Sequence, residues 1–449
     1  MPGPFAIEQQ VAIAAVRRAC ALTTTVFNKL VTGETLVKGD KSPVTVADYS
    51  AQAVINTILS NAFPNDPIVG EEDASDLRRR PRQGGGGRAA PNAENETNDD
   101  DDDGALLRAR VVQLADDVLA LPPLSSSASG AGVDAAGWAG WEEREEWGLG
   151  RRWGAEALLK AIDRGDHAGG RTGRFWTLDP IDGTKGFLRG GQYAICLALL
   201  VDARVELGVI GCPNLPFVAS GPSPDHVPVP VHDQDDTANR GALFLAVRGH
   251  GAFQLPLLAP PPTALPPAAA SATSGGGAHP PAVRAVQQPR PTPLSMRPLA
   301  LRELSFLESV EKAHAALDTN ARVAARLGVH AAPVRMDSQA KYAALVRGDA
   351  GGGVYLRLPV ARNGAGSADG YREKIWDHAA GSLLVEEAGG VVSDARGRPL
   401  DFGLGRTLGV NFGVVAARKE VHAQVLDAVQ AELAEAAQRE GDEEGPARS

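Results

Sequence analysis

The segment WTLDPIDGTKGF, residues 176–187, constrains the fold of this chain more than any other stretch. Asp179 and Asp182 flank a proline that has no backbone N–H to donate, so we expect a strand to end here and the chain to turn. Gly183 and Thr184 suit the first turn of a helix, whose free N–H groups can bind a phosphate. Carboxylates beside an anion site are what Mg²⁺ uses when it binds a phosphate substrate. The alternative is an ordinary surface turn, because Asp, Pro and Gly are common turn residues.

Composition limits the kind of protein that carries this motif. The chain has 449 residues, 43% of them hydrophobic, which suits a large core in two domains or one two-part fold. A formal net charge of −10 argues against nucleic-acid or anionic-membrane partners. Three cysteines without CxxC spacing predict buried thiols in a reducing compartment. With neither a signal-peptide pattern nor an apolar run of membrane-spanning length, the expected location is the cytoplasm.

Hydrophobic spacing and turn residues predict alternating helices and strands along the rest of the chain. Asp48 and Asp377 are each interpreted as lying at a helix start, where a carboxylate also stabilises the helix end. His378 has no partner histidine at metal-binding spacing and is assigned a structural role. A strand over 68–70 ends in three acids, an arrangement that can also build a hard-metal site. The other predictions are helices over 5–30, 156–162 and 420–437 and after Ser338, paired strands over 193–213 and 243–255, and a strand over 354–358.

Two segments change composition abruptly. Residues 78–133 combine glycines with blocks of like charge and predict a disordered insertion that contains one helix, over 105–121. Residues 256–298 are rich in Pro, Ala, Ser and Gly and predict a flexible, low-complexity insertion. We therefore expect an N-terminal α+β metal-binding part over 1–255 and a C-terminal α/β substrate-binding part over 299–449 with an acidic tail from 438.

A set of motifs in this chain resembles one known family, the lithium-sensitive, magnesium-dependent phosphatases that include the inositol monophosphatases. Within it, the motifs are most similar to the branch of fungal and plant bisphosphate nucleotidases. The resemblance implies an α/β (α+β) fold, a layered α-β-α-β-α sandwich of the sugar and inositol phosphatase type with the active site between its two parts. The motifs are VTVADYSAQ, IVGEED, WTLDPIDGTKGF, SFLESVEKAH, DSQAKY, VYLRLP and KIWDHAAGSLLVEEAGG.

The resemblance implies a centre of two or three Mg²⁺ ions. One ion is expected on Glu71, Asp179 and the carbonyl oxygen of Ile181. A second is expected on Asp179, Asp182 and Asp377, so that Asp179 bridges the two. Paired cations of this kind can activate a water molecule on one side of a phosphorus atom and stabilise the leaving oxygen on the other.

The resemblance also implies which groups are catalytic. Thr184 would take a proton from the attacking water and pass charge to Asp48, because an unassisted threonine hydroxyl is a poor base. Glu71 would orient the same water. These three residues are the expected catalytic groups.

Substrate contacts are expected mainly from the C-terminal third. Lys341 and Arg357 suit the phosphate that is not cleaved, since a guanidinium can bind a phosphate through two hydrogen bonds. The set that the resemblance implies is Gly183, Thr184, His314, Ser338, Lys341, Arg357 and Asp377.

The expected reaction is hydrolysis of adenosine 3′,5′-bisphosphate to AMP and phosphate. A second expected substrate is 3′-phosphoadenylyl sulfate, which would give adenylyl sulfate, and the activity would serve sulfate assimilation and salt tolerance. The expected protein is a monomer whose partner is a small nucleotide. Two alternatives stay open: an inositol mono- or polyphosphate phosphatase with the same metal site, and a phosphate-binding regulatory protein without activity.

Overall fold

The computed structural model of the chain describes residues 3–31, 43–78, 99–124, 142–218, 240–257, 291–310, 317–349, 352–358 and 372–443. Two sheets and their flanking helices account for most of these residues. The helices are α1 (Ala6–Val31), α2 (Pro43–Ala62), α3 (Ser75–Arg78), α4 (Asp99–Leu119), α5 (Ala155–Asp163), α6 (Thr184–Leu188), α7 (Leu317–Arg326), α8 (Ala340–Arg347), α9 (Ala379–Glu387) and α10 (Lys419–Glu443). The strands are β1 (Ile68–Gly70), β2 (Arg174–Asp182), β3 (Ala194–Val201), β4 (Arg204–Pro216), β5 (Arg240–Val247), β6 (Gly251–Pro256), β7 (Thr292–Leu294), β8 (Ser305–Glu308), β9 (Val334–Arg335), β10 (Gly352–Arg357), β11 (Gly390–Ser393) and β12 (Val414–Arg418).

The first sheet has seven strands in the order β1-β2-β3-β4-β5-β6-β7. Its first pair is parallel and its other pairs are antiparallel. The predicted hairpin is confirmed: β3 and β4 are joined at Asp202 and Ala203, whose φ angles of 49° and 63° are those of a tight turn that follows the twist of the strands. The second sheet has the order β11-β12-β10-β8-β9 and is mixed, with β8 parallel to both of its neighbours.

Alternating side chains show how the layers stack. Along β3, Ile195, Leu197 and Leu199 face a core shared with α1, α2, α4 and α5, whereas Ala198 and Leu200 face a second core shared with α8 and α9. The far side of the second sheet packs against α7 and α10 in a third core. This order of layers is helix, sheet, helix, sheet, helix, and it confirms the predicted α-β-α-β-α sandwich.

Several elements differ from the sequence predictions. Helix α2 begins at Pro43, so Asp48 lies inside its second turn and not at its start; proline suits a first helical position because its missing N–H would have no helical partner there. Helix α4 begins at Asp99, earlier than predicted. Strand β7 lies within the predicted 256–298 insertion and pairs with β6. Helix α10 continues through Glu443, into the segment predicted as an acidic tail.

Helix α4 belongs to the first core although it lies in the predicted disordered insertion. Leu107, Val111, Ala115 and Leu119 recur every four residues and are all buried, which gives the helix an apolar stripe facing α2. The remaining parts of the two insertion predictions, 79–98, 125–133 and 258–290, lie outside the described residues. The division into an N-terminal and a C-terminal part stays a prediction.

Two further sequence predictions concern cysteines and membranes. Cys20, Cys196 and Cys212 are buried free thiols, as predicted. In the described part of the chain, no helix combines the length and the apolar character needed to cross a membrane.

Candidate active site

The site is built where β1 ends beside the parallel strand β2. Gly70, the last residue of β1, is in register with Leu178 of β2, so Glu71 follows the end of β1 next to Asp179, which lies within β2. Gln52 of α2 holds the turn after β1: its amide donates to the carbonyl oxygen of Glu72 at 2.6 Å, and its Oε1 accepts from the Glu72 N–H at 3.1 Å. The backbone on both sides of Glu71 is therefore fixed by packing inside the first sheet layer.

A bulge in β2 explains how two carboxylates three residues apart can reach one site. In a regular strand, Asp179 and Asp182 would point to opposite faces. In this chain Asp179 pairs with Cys196 but Asp182 pairs with Ala194, so three steps along β2 match two steps along β3. The extra residue returns both aspartates to the same side. The strand therefore does not stop at Pro180 as predicted, because the bulge accommodates a residue that cannot donate to the sheet.

A third aspartate reaches the same point from the layer of helices between the sheets. Asp377 lies directly before His378, the N-cap of α9, which confirms its predicted position at a helix start. Carboxylate oxygens of Asp179, Asp182 and Asp377 all lie within 4.8 Å of one another. Three carboxylates from two parts of the chain therefore form one cluster.

Mutual repulsion in this cluster is strong. Burial, followed by the charges of Asp377 and Glu72, raises the pKa of Glu71 to about 8. Burial and the charge of Asp377 raise the pKa of Asp182 to about 6. The pKa of Asp179 is raised well above its usual value by burial and by the charge of Glu71. Each carboxyl group thus resists ionisation until a positive charge is placed among them.

The donor set fits divalent cations of the Mg²⁺ kind. Its donors are carboxylate oxygens: Asp179 is buried, Asp182 and Asp377 are half-buried, and Oδ1 of Asp179 has no hydrogen-bond partner among the described residues. Asp179 also lies close enough to Glu71 and Asp377 that, after burial, the charges of both raise its pKa. It is therefore the central carboxylate of the cluster, which is the place that the predicted bridging ligand requires.

The predicted phosphate turn meets the predicted substrate segment directly. Gly183 has a φ of 86°, and a Cβ added there would lie 2.8 Å from the Cβ of Ser338. Ser338 itself has a φ of 67°, which is unusual for a residue with a side chain. The N–H of Gln339 donates to Oδ2 of Asp182 at 2.5 Å. These contacts join the two motifs into one wall of the site.

Two cationic side chains, Lys341 and Arg357, lie near Asp182. Lys341 is buried, and its Nζ donates to the carbonyl oxygen of Met336 at 3.2 Å. Burial lowers the pKa of Lys341 to about 8, although the charge of Asp182 opposes the shift. The charges of Lys341 and Arg357 in turn hold down the pKa of Asp182. The site thus has an anionic half and a cationic half in contact.

Arg357 is held in place by a glutamate that the sequence analysis missed. Its Nε lies 2.8 Å from Oε2 of Glu373, and its terminal nitrogen lies 3.6 Å from Oδ2 of Asp377. The same Glu373 oxygen lies 3.1 Å from Nε2 of His378, whose Nδ1 lies 2.8 Å from the hydroxyl of Tyr342. Burial would favour the neutral acid, but Arg357 and His378 hold the pKa of Glu373 down to about 2. Both ring nitrogens of His378 are occupied, which agrees with its predicted structural role.

Thr184, the predicted proton acceptor, contacts a backbone carbonyl oxygen in this structure. The hydroxyl of Thr184 lies 3.5 Å from the carbonyl oxygen of Ile181, the predicted main-chain metal ligand. Asp48 is buried in α2, and burial with the charges of Glu72 and Glu71 raises its pKa well above its usual value. A relay from Thr184 to Asp48 stays a prediction. His314, the remaining predicted contact, lies outside the described residues.

The structure is a layered α/β fold with a partly buried cluster of three carboxylates, and comparison with known proteins identifies its family. Residues 154–434 match the inositol monophosphatase family. A 3′(2′),5′-bisphosphate nucleotidase of Schizosaccharomyces pombe is 40% identical over 432 residues, covering 95% of this chain and 96% of that protein. Proteins of the same name from Emericella nidulans and Oryza sativa are 41% and 36% identical; each alignment covers at least 94% of both chains. The chain belongs to the inositol monophosphatase family.

Proposed function

We propose that this chain is a Mg²⁺-dependent phosphoric monoester hydrolase that converts adenosine 3′,5′-bisphosphate to AMP and phosphate. The observation that carries the proposal is the contact between the two halves of the site: the cluster of Asp179, Asp182 and Asp377 lies beside Lys341 and Arg357. A substrate with two phosphates suits that arrangement, because one phosphate can be cleaved at the anionic half while the other pairs with the cationic half. The names of the relatives agree with this substrate.

The carboxylate half would hold the cations. Glu71, Asp179 and the Ile181 carbonyl would bind one Mg²⁺, and Asp179, Asp182 and Asp377 would bind a second. When bound, these ions would supply positive charge to the phosphate that is cleaved and to the oxygen that leaves. The clustering of carboxyl groups favours their binding, since each cation offsets the burial and the repulsion that raise the carboxyl pKa values.

The other side chains would orient the reactants. Arg357 would bind the uncleaved phosphate while Glu373 keeps its guanidinium in a fixed direction. Gly183 lets the phosphate turn pack closely against the segment that carries Ser338, because any side chain there would collide with Ser338. The hydroxyl of Thr184 would release its contact with Ile181 and accept the proton of the attacking water, with Asp48 stabilising the charge.

We also propose a second substrate, a cellular location and an inhibitor for this enzyme. The same site would convert 3′-phosphoadenylyl sulfate to adenylyl sulfate, since that substrate carries the same 3′-phosphate. We further propose a cytoplasmic monomer that serves sulfur metabolism and salt tolerance. Li⁺ would inhibit it, because this ion is close to Mg²⁺ in size but has half the charge.

The direct test is phosphate release from adenosine 3′,5′-bisphosphate with Mg²⁺ and with excess EDTA. We expect turnover that requires Mg²⁺. A phosphate-binding regulatory protein would bind the nucleotide without releasing phosphate, and that result would contradict the proposal. An inositol phosphatase would release phosphate from inositol phosphates in preference to the nucleotide.

A further inference from the structure

Glu71 and Asp377, two of the proposed metal ligands, come from different parts of the fold. Glu71 follows β1 in the first sheet, whereas Asp377 precedes α9 in the layer between the sheets. Asp179 and Asp182 share one strand, so their separation is set by the bulge in β2. The separation of Glu71 and Asp377 must therefore be fixed by contacts elsewhere in the fold.

Arg406 contacts the backbone next to both of these ligands. Its guanidinium donates to the carbonyl oxygen of Gly70, which belongs to the peptide bond joining Gly70 to Glu71. Its own carbonyl oxygen accepts from the N–H of Ile375 at 3.2 Å, two residues before Asp377. One residue therefore spans from the end of β1 to the segment that carries Asp377.

The side chain of Arg406 is fixed at several further points. It donates to the carbonyl oxygens of Gly165 at 3.0 Å and His167 at 3.1 Å. Its guanidinium carbon lies 4.9 Å from the centre of the Trp376 ring, a cation–π contact with the residue directly before Asp377. A planar guanidinium can make these hydrogen bonds and this stacking contact together, which a lysine ammonium cannot do.

The main chain around Arg406 is paired with the segment before Asp377. Thr407 forms an isolated antiparallel bridge with Lys374, and the N–H of Leu408 donates to the carbonyl oxygen of Glu373 at 2.9 Å. A shift of Arg406 would therefore move the chain that leads into Asp377.

We propose that Arg406 is a positioning residue that sets the separation of Glu71 and Asp377 and thereby the affinity of the site for its cations. The proposal rests on the proposed function, since it assigns metal-binding roles to these two carboxylates. The described hydrogen bonds of the Arg406 side chain go to backbone carbonyl oxygens, one of them directly before Glu71. Its effect should therefore appear first in metal binding.

The test is Mg²⁺ binding to the full chain, measured by calorimetry without nucleotide, for the wild type, Arg406→Ala and Arg406→Lys. We expect the dissociation constant for Mg²⁺ to rise about tenfold or more in both variants, as for other residues that hold metal ligands in place. Lysine keeps the positive charge near Glu71 but loses the fork of hydrogen bonds, so it should not restore the affinity. At saturating Mg²⁺, the KM for the nucleotide should change much less.

Arg171→Ala is the matched control. Arg171 pairs with Asp401 at 2.7 Å and joins nearly the same two segments, but its side chain is mostly exposed and lies away from the ligands. We expect its Mg²⁺ affinity to match the wild type. Thermal unfolding without metal checks that each variant is folded. If Arg406→Ala is not folded, the Mg²⁺ affinities of Arg406→Lys and Arg406→Gln are compared with the wild type instead.

Two results would overturn this inference without affecting the proposed function. The first is an unchanged Mg²⁺ affinity in Arg406→Ala while the wild type binds normally. The second is a wild-type Mg²⁺ affinity in Arg406→Lys, which would show that only the charge of Arg406 matters. Absence of Mg²⁺ binding to the wild type would instead overturn the proposed function itself.

Discussion

The backbone N–H of Gln339 donates a hydrogen bond to Oδ2 of Asp182 at 2.5 Å. The side-chain amide of Gln339 donates to the carbonyl oxygen of Trp376 at 2.8 Å, next to Asp377. One residue thus connects two proposed metal ligands and also lies between Ser338 and Lys341. The anionic half and the cationic half of the site are therefore linked through this residue. Substitutions where they meet should affect both metal binding and substrate binding.

Gly183→Ala tests that contact. Alanine at a φ of 86° costs about 1–2 kcal/mol from backbone strain alone, and its Cβ would lie 2.8 Å from the Cβ of Ser338. We expect lower thermal stability and a large loss of kcat/KM. Gly328→Ala is the control, because Gly328, just after α7, has a φ of 67° with open space around its Cβ position. Equal effects of the two substitutions would show that contact with Ser338 is unimportant.

Asp179→Asn tests the bridging carboxylate. The amide keeps the shape but removes the charge shared by two cations, so we expect kcat to fall by about a thousandfold, equivalent to about 4 kcal/mol. The metal-free variant should be at least as stable as the metal-free wild type, because burial and the charge of Glu71 disfavour an ionised Asp179. Steady-state kinetics and thermal unfolding measure the two effects. Retention of more than about a tenth of wild-type turnover, a loss of only about 1.4 kcal/mol, would contradict the two-metal assignment.

The raised carboxyl pKa values predict proton release when Mg²⁺ binds. In the folded, metal-free protein the pKa of Glu71 is about 8 and that of Asp182 about 6, above their usual values of 4.5 and 3.8. The folded state therefore holds protons that the unfolded chain has lost, and its stability falls as pH rises through this range. Mg²⁺ must displace those protons, so its affinity should rise from pH 6 to pH 8 and then level off.

Calorimetry in two buffers with different ionisation enthalpies measures this proton release. The gain in melting temperature from Mg²⁺ should likewise be larger at pH 8 than at pH 6. An affinity that does not change with pH over this range would show that the carboxylates are already ionised.

Glu373→Gln tests the support of Arg357. Glutamine keeps the size of the side chain but loses the ion pair with Arg357 at 2.8 Å and weakens the contact with His378. We expect the KM for the nucleotide to rise more than kcat falls, with a loss of about 1.5–3 kcal/mol in unfolding free energy, as for a hydrogen bond to a charged group. Glu386→Gln is the control, because its pair with Arg248 is partly exposed and should contribute less than about 1 kcal/mol. A kcat effect alone would argue against a role in substrate binding.

The sequence allowed the chemistry of the site to be predicted because its strongest signals are local. DPIDGT places carboxylates, a turn and a helix start within a few residues, and each has a backbone preference that does not depend on the rest of the fold. The continuous run of apolar residues in β3 likewise indicates a strand buried on both faces. The start of α2 at Pro43 was missed, although proline favours the first helical position.

The supporting contacts could not be predicted in the same way. Gln339 and Asp182 are 157 positions apart, and Arg406 and Gly70 are 336 apart. Such pairs depend on how the layers pack, and their residue types are common on protein surfaces. The bulge in β2 also depends on pairing with β3, although Pro180 gave a local sign that the strand is irregular.

The most direct test of the account is the ratio of kcat/KM for adenosine 3′,5′-bisphosphate to that for inositol 1-phosphate, measured at saturating Mg²⁺ with the full chain. The nucleotide has a second phosphate for Lys341 and Arg357, and losing two charge-assisted contacts of about 1.5 kcal/mol each corresponds to about a hundredfold. We therefore predict a preference for the nucleotide of about a hundredfold or more. Equal values, or a preference for inositol 1-phosphate, would contradict the account.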